Sequence, residues 1–225
     1  MTAILFDLDG TLIDQESASA SAVRAWGAEL GLSLDGIAQR WAASSSRHYA
    51  RYQTREITFS GQRRERVRDL VGRDLSDAEA DELFAGYLRR YESGWALFPD
   101  TVRCLERLRD AGVPLGVLTN GDRTQQLQKV DRFDLAGYFD AIVCSSDLPH
   151  GKPYPIAYTS AVRALGQEAM DVIMVGDSLE HDVQGALAAG LRAVLLDRAG
   201  EHRDDDVVTI SRLDDLVAAT AELRL

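Results

Sequence analysis

Ile4-Leu5-Phe6-Asp7-Leu8-Asp9-Gly10-Thr11-Leu12 begins as an apolar run rich in strand formers and then presents two carboxylates, two residues apart, ahead of a glycine. Side chains at i and i+2 of a strand point to one side, which predicts Asp7 and Asp9 close together at the strand's C-terminal end. Gly10 lets the backbone turn there. Two adjacent carboxylates repel, so the pair needs a bound cation or a shared proton. Mg2+ takes hard oxygen ligands and is commonly held by one or two carboxylates plus a substrate phosphate. Alone, the pair reads first as a solvated surface turn, and what gives it weight is the rest of the chain.

Beyond Pro99 the sequence alternates helix and strand. Asp100 is placed to cap a helix carrying Val102, Leu105 and Leu108, which Gly112 ends. Pro114-Leu115-Gly116-Val117-Leu118 then reads as a strand running into Thr119-Asn120-Gly121. A helix is expected from about 123 to 133, a strand from Ala141 to Cys144, and a helix opened by Pro155 with Ala157, Ala161, Val162 and Leu165 on its apolar side. Val172-Ile173-Met174-Val175 is a fourth strand and leads into Gly176-Asp177-Ser178. A small-residue helix through Gly185, Ala186, Ala188 and Ala189 stops at Gly190, and Ala193 to Leu196 forms a fifth strand. The tail from Glu201, with Asp204-Asp205-Asp206 before Val207-Val208-Thr209-Ile210, reads as a loop, a short strand and a closing helix. Strands without strict alternation, separated by helices, argue for a parallel sheet covered on both faces. The expected class is α/β: a doubly wound, Rossmann-like parallel sheet whose site lies beyond the strands' C-terminal ends.

Residues 15–95 have a different character, with helical patterns and no strand. Ala18, Ala22, Trp26 and Leu30 recur at four-residue spacing before Gly31. Ser76-Asp77-Ala78-Glu79 is a capping box ahead of Leu83, Tyr87 and Tyr91. Arg63-Arg64-Glu65-Arg66-Val67-Arg68 reads as a solvated basic helix face, with a phosphate-facing surface as the sharper alternative. Trp41, His48, Tyr49 and Tyr52 read as bundle core before they read as pocket lining. The expected organisation is a core of 1–14 and 96–225 with an all-helical domain of 15–95 inserted into it.

Composition narrows the function classes. The 225 residues are 45% hydrophobic and 27% charged, with a net charge of −11, which excludes the basic footprint of a nucleic-acid binder. No apolar run is long enough to cross a bilayer, and the N-terminus reaches Asp7 with no basic region or signal-like core. Cys104 and Cys144 read as buried apolar groups in a reducing cytoplasm.

The polar residues fall where an α/β sheet puts its site. Strand ends deliver Asp7 and Asp9, then Thr119 and Asn120, then Asp177, with Asp182 about one helical turn on. Lys152, in Gly151-Lys152-Pro153, follows the Cys144 strand, and Pro153 biases it to an extended backbone that projects the side chain. His181, just before Asp182, reads as a spacer on the helix and His150 as a neighbour of Lys152, neither as a ligand.

With these four stretches the chain resembles a phosphatase of the haloacid dehalogenase (HAD) superfamily. Asp7-Leu8-Asp9-Gly10-Thr11-Leu12, Thr119-Asn120-Gly121, Lys152-Pro153 and Gly176-Asp177-Ser178-Leu179-Glu180-His181-Asp182 are similar to its four motifs in order. The helical insertion lies where that family carries a C1 cap, which chooses substrate. The run from Leu118 through Gly190 looks most like the branch of pyrimidine 5′-nucleotidases and N-acylneuraminate 9-phosphatases.

The resemblance implies a Mg2+-dependent hydrolase of a small phosphorylated metabolite, nucleotide or sugar phosphate, working through an aspartyl phosphate. Asp7 would be the nucleophile and Asp9 the acid and base. Asp7, Asp177 and the Asp9 backbone carbonyl would hold Mg2+, with Asp182 in support or ligating through water. Thr119, the backbone around Asn120 and Gly121, and Lys152 would bind phosphate. It further implies a cytoplasmic enzyme with no membrane or polynucleotide partner; monomer and homodimer both stay open. A phosphomutase would keep every motif. A haloacid dehalogenase would need neither Asp9 nor the acidic fourth motif. A signalling receiver domain is about half this length and has no cap.

Overall fold

The structure is a computed structural model that describes residues 2–202 and 206–222. The chain runs through β1 (Ala3–Phe6), the helices α1 (Gln15–Glu29), α2 (Ile37–Gln53), α3 (Phe59–Val71), α4 (Asp77–Ser93) and α5 (Thr101–Asp110), then β2 (Leu115–Thr119). It continues with α6 (Arg123–Arg132), β3 (Ala141–Cys144), α7 (Pro155–Ala164), β4 (Val172–Gly176), α8 (Gly185–Ala188), β5 (Arg192–Leu196), β6 (Thr209–Ile210) and α9 (Leu216–Glu222). It divides into two compact units, one of Met1–Ile13 with Leu97–Leu225 and one of Asp14–Ala96.

In the first unit the strands among the described residues form one sheet in the order β3-β2-β1-β4-β5-β6, all pairs parallel. This is the Rossmann-like arrangement, and the order reverses between β1 and β4, which opens a crevice at their C-terminal ends. The central strands are apolar along most of their length because alternate residues feed two cores. Ile4, Phe6, Val117, Ile173, Val175, Val194 and Leu196 pack with Leu105 and Leu108 of α5, Val130 of α6 and Leu216 of α9. Ala3, Leu5, Leu118, Met174 and Leu195 pack on the other face with Tyr158 and Ala161 of α7 and Ala186 of α8. A fully buried side chain of this kind stabilises by about 1.5–3 kcal/mol, so both faces contribute and neither can be exposed cheaply.

Asp100 does not cap α5, as the sequence pattern predicts. It has no side-chain cap bond; its carboxylate takes both guanidinium nitrogens of Arg198 at 3.0 Å and the Leu213 N–H at 2.9 Å. A charged fork from a distant loop outcompetes the local amide. The expected small-residue helix is also different. A wide turn over Leu179–Gln184, with the N–H of Val183 reaching back to the Ser178 carbonyl, precedes the short α8. In the tail the expected strand is β6 and the closing helix α9, while 203–205 and 223–225 lie outside the described residues. Ile13 forms an antiparallel bridge with Leu97, so the chain leaves and re-enters this unit side by side.

Among its described residues the second unit holds helices only, α1 to α4. Trp26 and Trp41 meet edge to face at 5.6 Å and Trp41 lies 4.6 Å from Tyr87, an aromatic centre shared by α1, α2 and α4. Ser76 and Glu79 close the capping box at the start of α4. The basic stretch of α3 is split between two surroundings. Arg64 and Arg68 reach Asp77, and Arg64 also pairs with Asp81. Arg66 lies over the rings of Trp41 (4.3 Å), Phe84 and Tyr87 instead. His48 is buried and bonded to Asp69, which also accepts from Ser44.

Candidate active site

β1 ends at Phe6, so Asp7 and Asp9 lie in the following turn and strand alternation does not govern them. Their carboxylates bond different partners. Asp7 is buried and accepts from the Lys152 ammonium at 2.7 Å. The same ammonium donates to Asp182 Oδ1 at 2.5 Å, and Asp182 Oδ2 accepts from the Ser178 N–H at 3.0 Å. Asp9 turns towards α6 instead. Both of its oxygens lie 2.6 Å from the Lys129 ammonium, and Gln126 Nε2 donates to Oδ2 at 2.9 Å.

Gly10 carries the turn that follows Asp9 at φ +88°, a conformation that side chains resist. A Cβ there would also collide with the Asp177 carboxylate, so the first and fourth motifs approach each other through this glycine. Asp177, at the end of β4, accepts from Thr11 Oγ1 at 3.3 Å. Oxygens of Asp7, Asp177 and Asp182 lie within 4.8 Å of one another. Three carboxylates thus converge, and one ammonium bonds two of them.

The electrostatics follow from that count. Burial, then the charges of Asp182 and Asp177, push the Asp7 carboxyl well above its usual range, although Lys152 pulls the other way. Asp177 is open to solvent on its outer side, but desolvation and the Asp182 charge raise it to about 6. Lys152 goes up as well, because Asp182 and Asp7 outweigh the cost of burying it. A further cation would satisfy the group. The donors are hard carboxylate oxygens, which fits Mg2+.

The second and third motifs are joined by hydrogen bonds. The Asn120 side chain accepts from the Lys152 N–H and donates to the Lys152 carbonyl, each at 2.7 Å, and so holds the loop that projects the ammonium. Thr119 is buried with its Oγ1 2.6 Å from Gln126 Nε2. Gly121 leaves room for Gln126, into which a Cβ would run. Gln126 and Lys129 were not anticipated. The one signal was their i, i+3 spacing on a helix that starts at a strand end, with a lysine on its buried side. Ser178 caps the wide turn, its Oγ accepting from the His181 N–H, and His150 stacks on Tyr154.

The chain matches the haloacid dehalogenase-like hydrolase family over residues 1–190. It is a member of that family. It is 31% identical to a ribulose-1,5-bisphosphate 5-phosphatase of Halopiger xanaduensis, over 96% of this chain and 99% of that one. It is 30% identical to a glyceraldehyde 3-phosphate phosphatase of Methanopyrus kandleri, over 94% and 92%. A putative HAD-hydrolase of Bacillus subtilis, solved with magnesium, shares the fold with a TM-score of 0.82 at 23% identity, over 96% and 97% of the chains. Within the haloacid dehalogenase-like hydrolases this chain is a phosphoric monoester hydrolase, and no helix among its described residues is long and apolar enough to cross a membrane.

Proposed function

We propose that the chain hydrolyses a small phosphorylated metabolite of the sugar-phosphate or nucleotide class, with Mg2+, through an aspartyl phosphate on Asp7. The observation that carries this reading is the cluster of Asp7, Asp177 and Asp182, oxygens within 4.8 Å of one another, with the Lys152 ammonium bonded to Asp7 and Asp182. Asp7, Asp177 and the backbone carbonyl of Asp9 would hold Mg2+, with Asp182 supporting through Lys152. Bound there, the ion would neutralise charge on the transferring phosphoryl group.

The residues divide the work as follows. Thr119, the N–H groups around Asn120 and Gly121, and Lys152 bind the phosphate oxygens and orient phosphorus towards Asp7. An Asp7 oxygen attacks phosphorus, the ester P–O bond breaks, and the leaving oxygen takes a proton from Asp9. Water then attacks the aspartyl phosphate, gives its proton to Asp9 and releases phosphate and Asp7. A dehalogenase needs no proton donor at Asp9, and here Asp9 has a dedicated clamp. The helical unit, Asp14–Ala96, is assigned the choice among substrates. The buried cysteines, with thiols pushed up by burial to about 12 at Cys104 and about 11 at Cys144, suit a reducing cytoplasm.

Phosphate release from a panel of phosphorylated metabolites tests this. Activity is expected to vanish in excess EDTA and return with Mg2+. Full activity in chelator would overturn the reading.

A further inference from the structure

The Asp9 clamp has more parts than an ion pair needs. Lys129 is 1% exposed, and a buried ammonium is tolerated only when a carboxylate faces it in good geometry. Asp9 supplies both oxygens, each at 2.6 Å. One turn earlier on α6, Gln126 Nε2 touches two groups at once, Asp9 Oδ2 at 2.9 Å and Thr119 Oγ1 at 2.6 Å.

Hydrogen-bond chemistry fixes the direction of each contact. The atom of Gln126 that faces both groups is its amide nitrogen, which only donates, so Asp9 Oδ2 accepts one of its hydrogens. Its second hydrogen then goes to Thr119 Oγ1, which accepts. The threonine hydroxyl is left with its own proton to donate elsewhere. That is the state in which it can bind a phosphate oxygen. Gly121 is required for this contact, since a side chain there would displace Gln126.

We propose that Gln126 and Lys129 are positioning residues that lock the side chain of Asp9 and the hydroxyl of Thr119 into one frame carried by α6. The phosphate-binding donor and the group that serves the leaving oxygen and the water are then set relative to each other by a single helix. Lys129 fixes where the Asp9 carboxylate points. Gln126 ties that direction to the phosphate. This inference rests on the phosphatase reading, in which Asp9 and Thr119 have those roles.

The test is a double-mutant cycle in the full chain with Mg2+, read on an alkyl phosphate and on nitrophenyl phosphate. Lys129→Met is expected to lower kcat on the alkyl ester about 10²-fold, the scale of a general acid–base contribution, with KM changed less than about threefold. The loss on nitrophenyl phosphate should be smaller, because its leaving group needs little help. Lys129→Gln, which keeps a donor at similar reach, should recover part of the alkyl rate. In an Asp9→Asn background Lys129→Met should cost nothing further, since residues acting as a unit are not additive. That double variant removes both charges of the pair, so it stays informative if Lys129→Met alone folds poorly. Gln126→Met should raise KM as well as lower kcat, because Thr119 loses its fixed orientation. Equal losses on both esters, or an undiminished effect of Lys129→Met in the Asp9→Asn background, would overturn the proposal. A wild type that releases no phosphate from either ester would overturn the phosphatase reading first, and this inference with it.

Discussion

The two units bury positive charge in opposite ways. In the sheet unit Lys152 sits on Asp7 and Asp182, Lys129 on both oxygens of Asp9, and Arg198 on both oxygens of Asp100. In the helical unit Arg66 lies over the rings of Trp41, Phe84 and Tyr87, its Nε is buried without a partner, and no carboxylate pairs with it among the described residues. An ion pair fixes the direction of both members, and removing one strands the other. A ring face attracts a cation without committing an acid to a direction. The chemistry proposed for the sheet unit calls for carboxylates of fixed direction, and the aromatic centre of the helical unit fixes none.

The sharpest way to break this contrast is Asp7→Asn. An amide is a poor nucleophile, so turnover should fall to background with no phosphoenzyme in rapid-quench mass spectrometry. A measurable fraction of wild-type turnover would place the nucleophile elsewhere. Lys152→Met comes next: it leaves Asp7 and Asp182 buried together, and should cost about 3–5 kcal/mol by urea unfolding in chelator. A cost no larger than that of Arg66→Met would remove the distinction between the units.

Asp100→Asn tests the third pair through pH. Burial alone would raise the Asp100 carboxyl, but the Arg198 fork and the Leu213 N–H outweigh it, and its net position is below the ordinary 3.8. A group depressed in the folded state adds stability above its unfolded value and loses it as pH falls through the folded one. The variant should therefore melt well below wild type at pH 7, by about 2 kcal/mol, and the gap should close below pH 3.8. A gap that held constant from pH 7 to 2.5 would mean the fork is not what stabilises.

Arg66→Met should cost about 1 kcal/mol, the scale of a cation over rings with its packing preserved. Arg64→Ala, on the same helix, should cost about 0.5 kcal/mol or less, and less again in high salt. Its partners Asp77 and Asp81 are exposed, and exposed pairs contribute little. A larger loss at Arg64 than at Arg66 would show that the surface ladder, and not the aromatic centre, holds α3.

The legible part of this molecule is what short-range chemistry controls. Apolar strands feeding two cores, Gly10 and Gly112 at left-handed turns, Pro155 opening α7 and the Ser76 capping box all follow from neighbours a few residues apart. The strand ends place Asp7, Thr119, Asn120 and Asp177 at the C-terminal edge of the sheet, and Lys152 reaches Asp7 from the loop after β3. Three things were not legible. β1 stops one residue before Asp7, which frees Asp9 to turn to α6. Asp100 looks like a cap until Arg198, 98 residues later, takes its carboxylate. Gln126 and Lys129 look like a polar helix face until the position of Asp9 is known. In each case the competing partner is distant in sequence, and a local pattern cannot price it.

The bridge between Ile13 and Leu97 bears on how such a chain diversifies. To the sheet, everything from Asp14 to Ala96 is one loop whose two ends are already pinned together. The entropy of closing a loop grows only as the logarithm of its length, so doubling the inserted stretch would cost about 0.6 kcal/mol. A mutation that shifts Asp9 by one residue has no such tolerance. An insertion of a different length can therefore be accommodated at that bridge while the strand ends stay untouched.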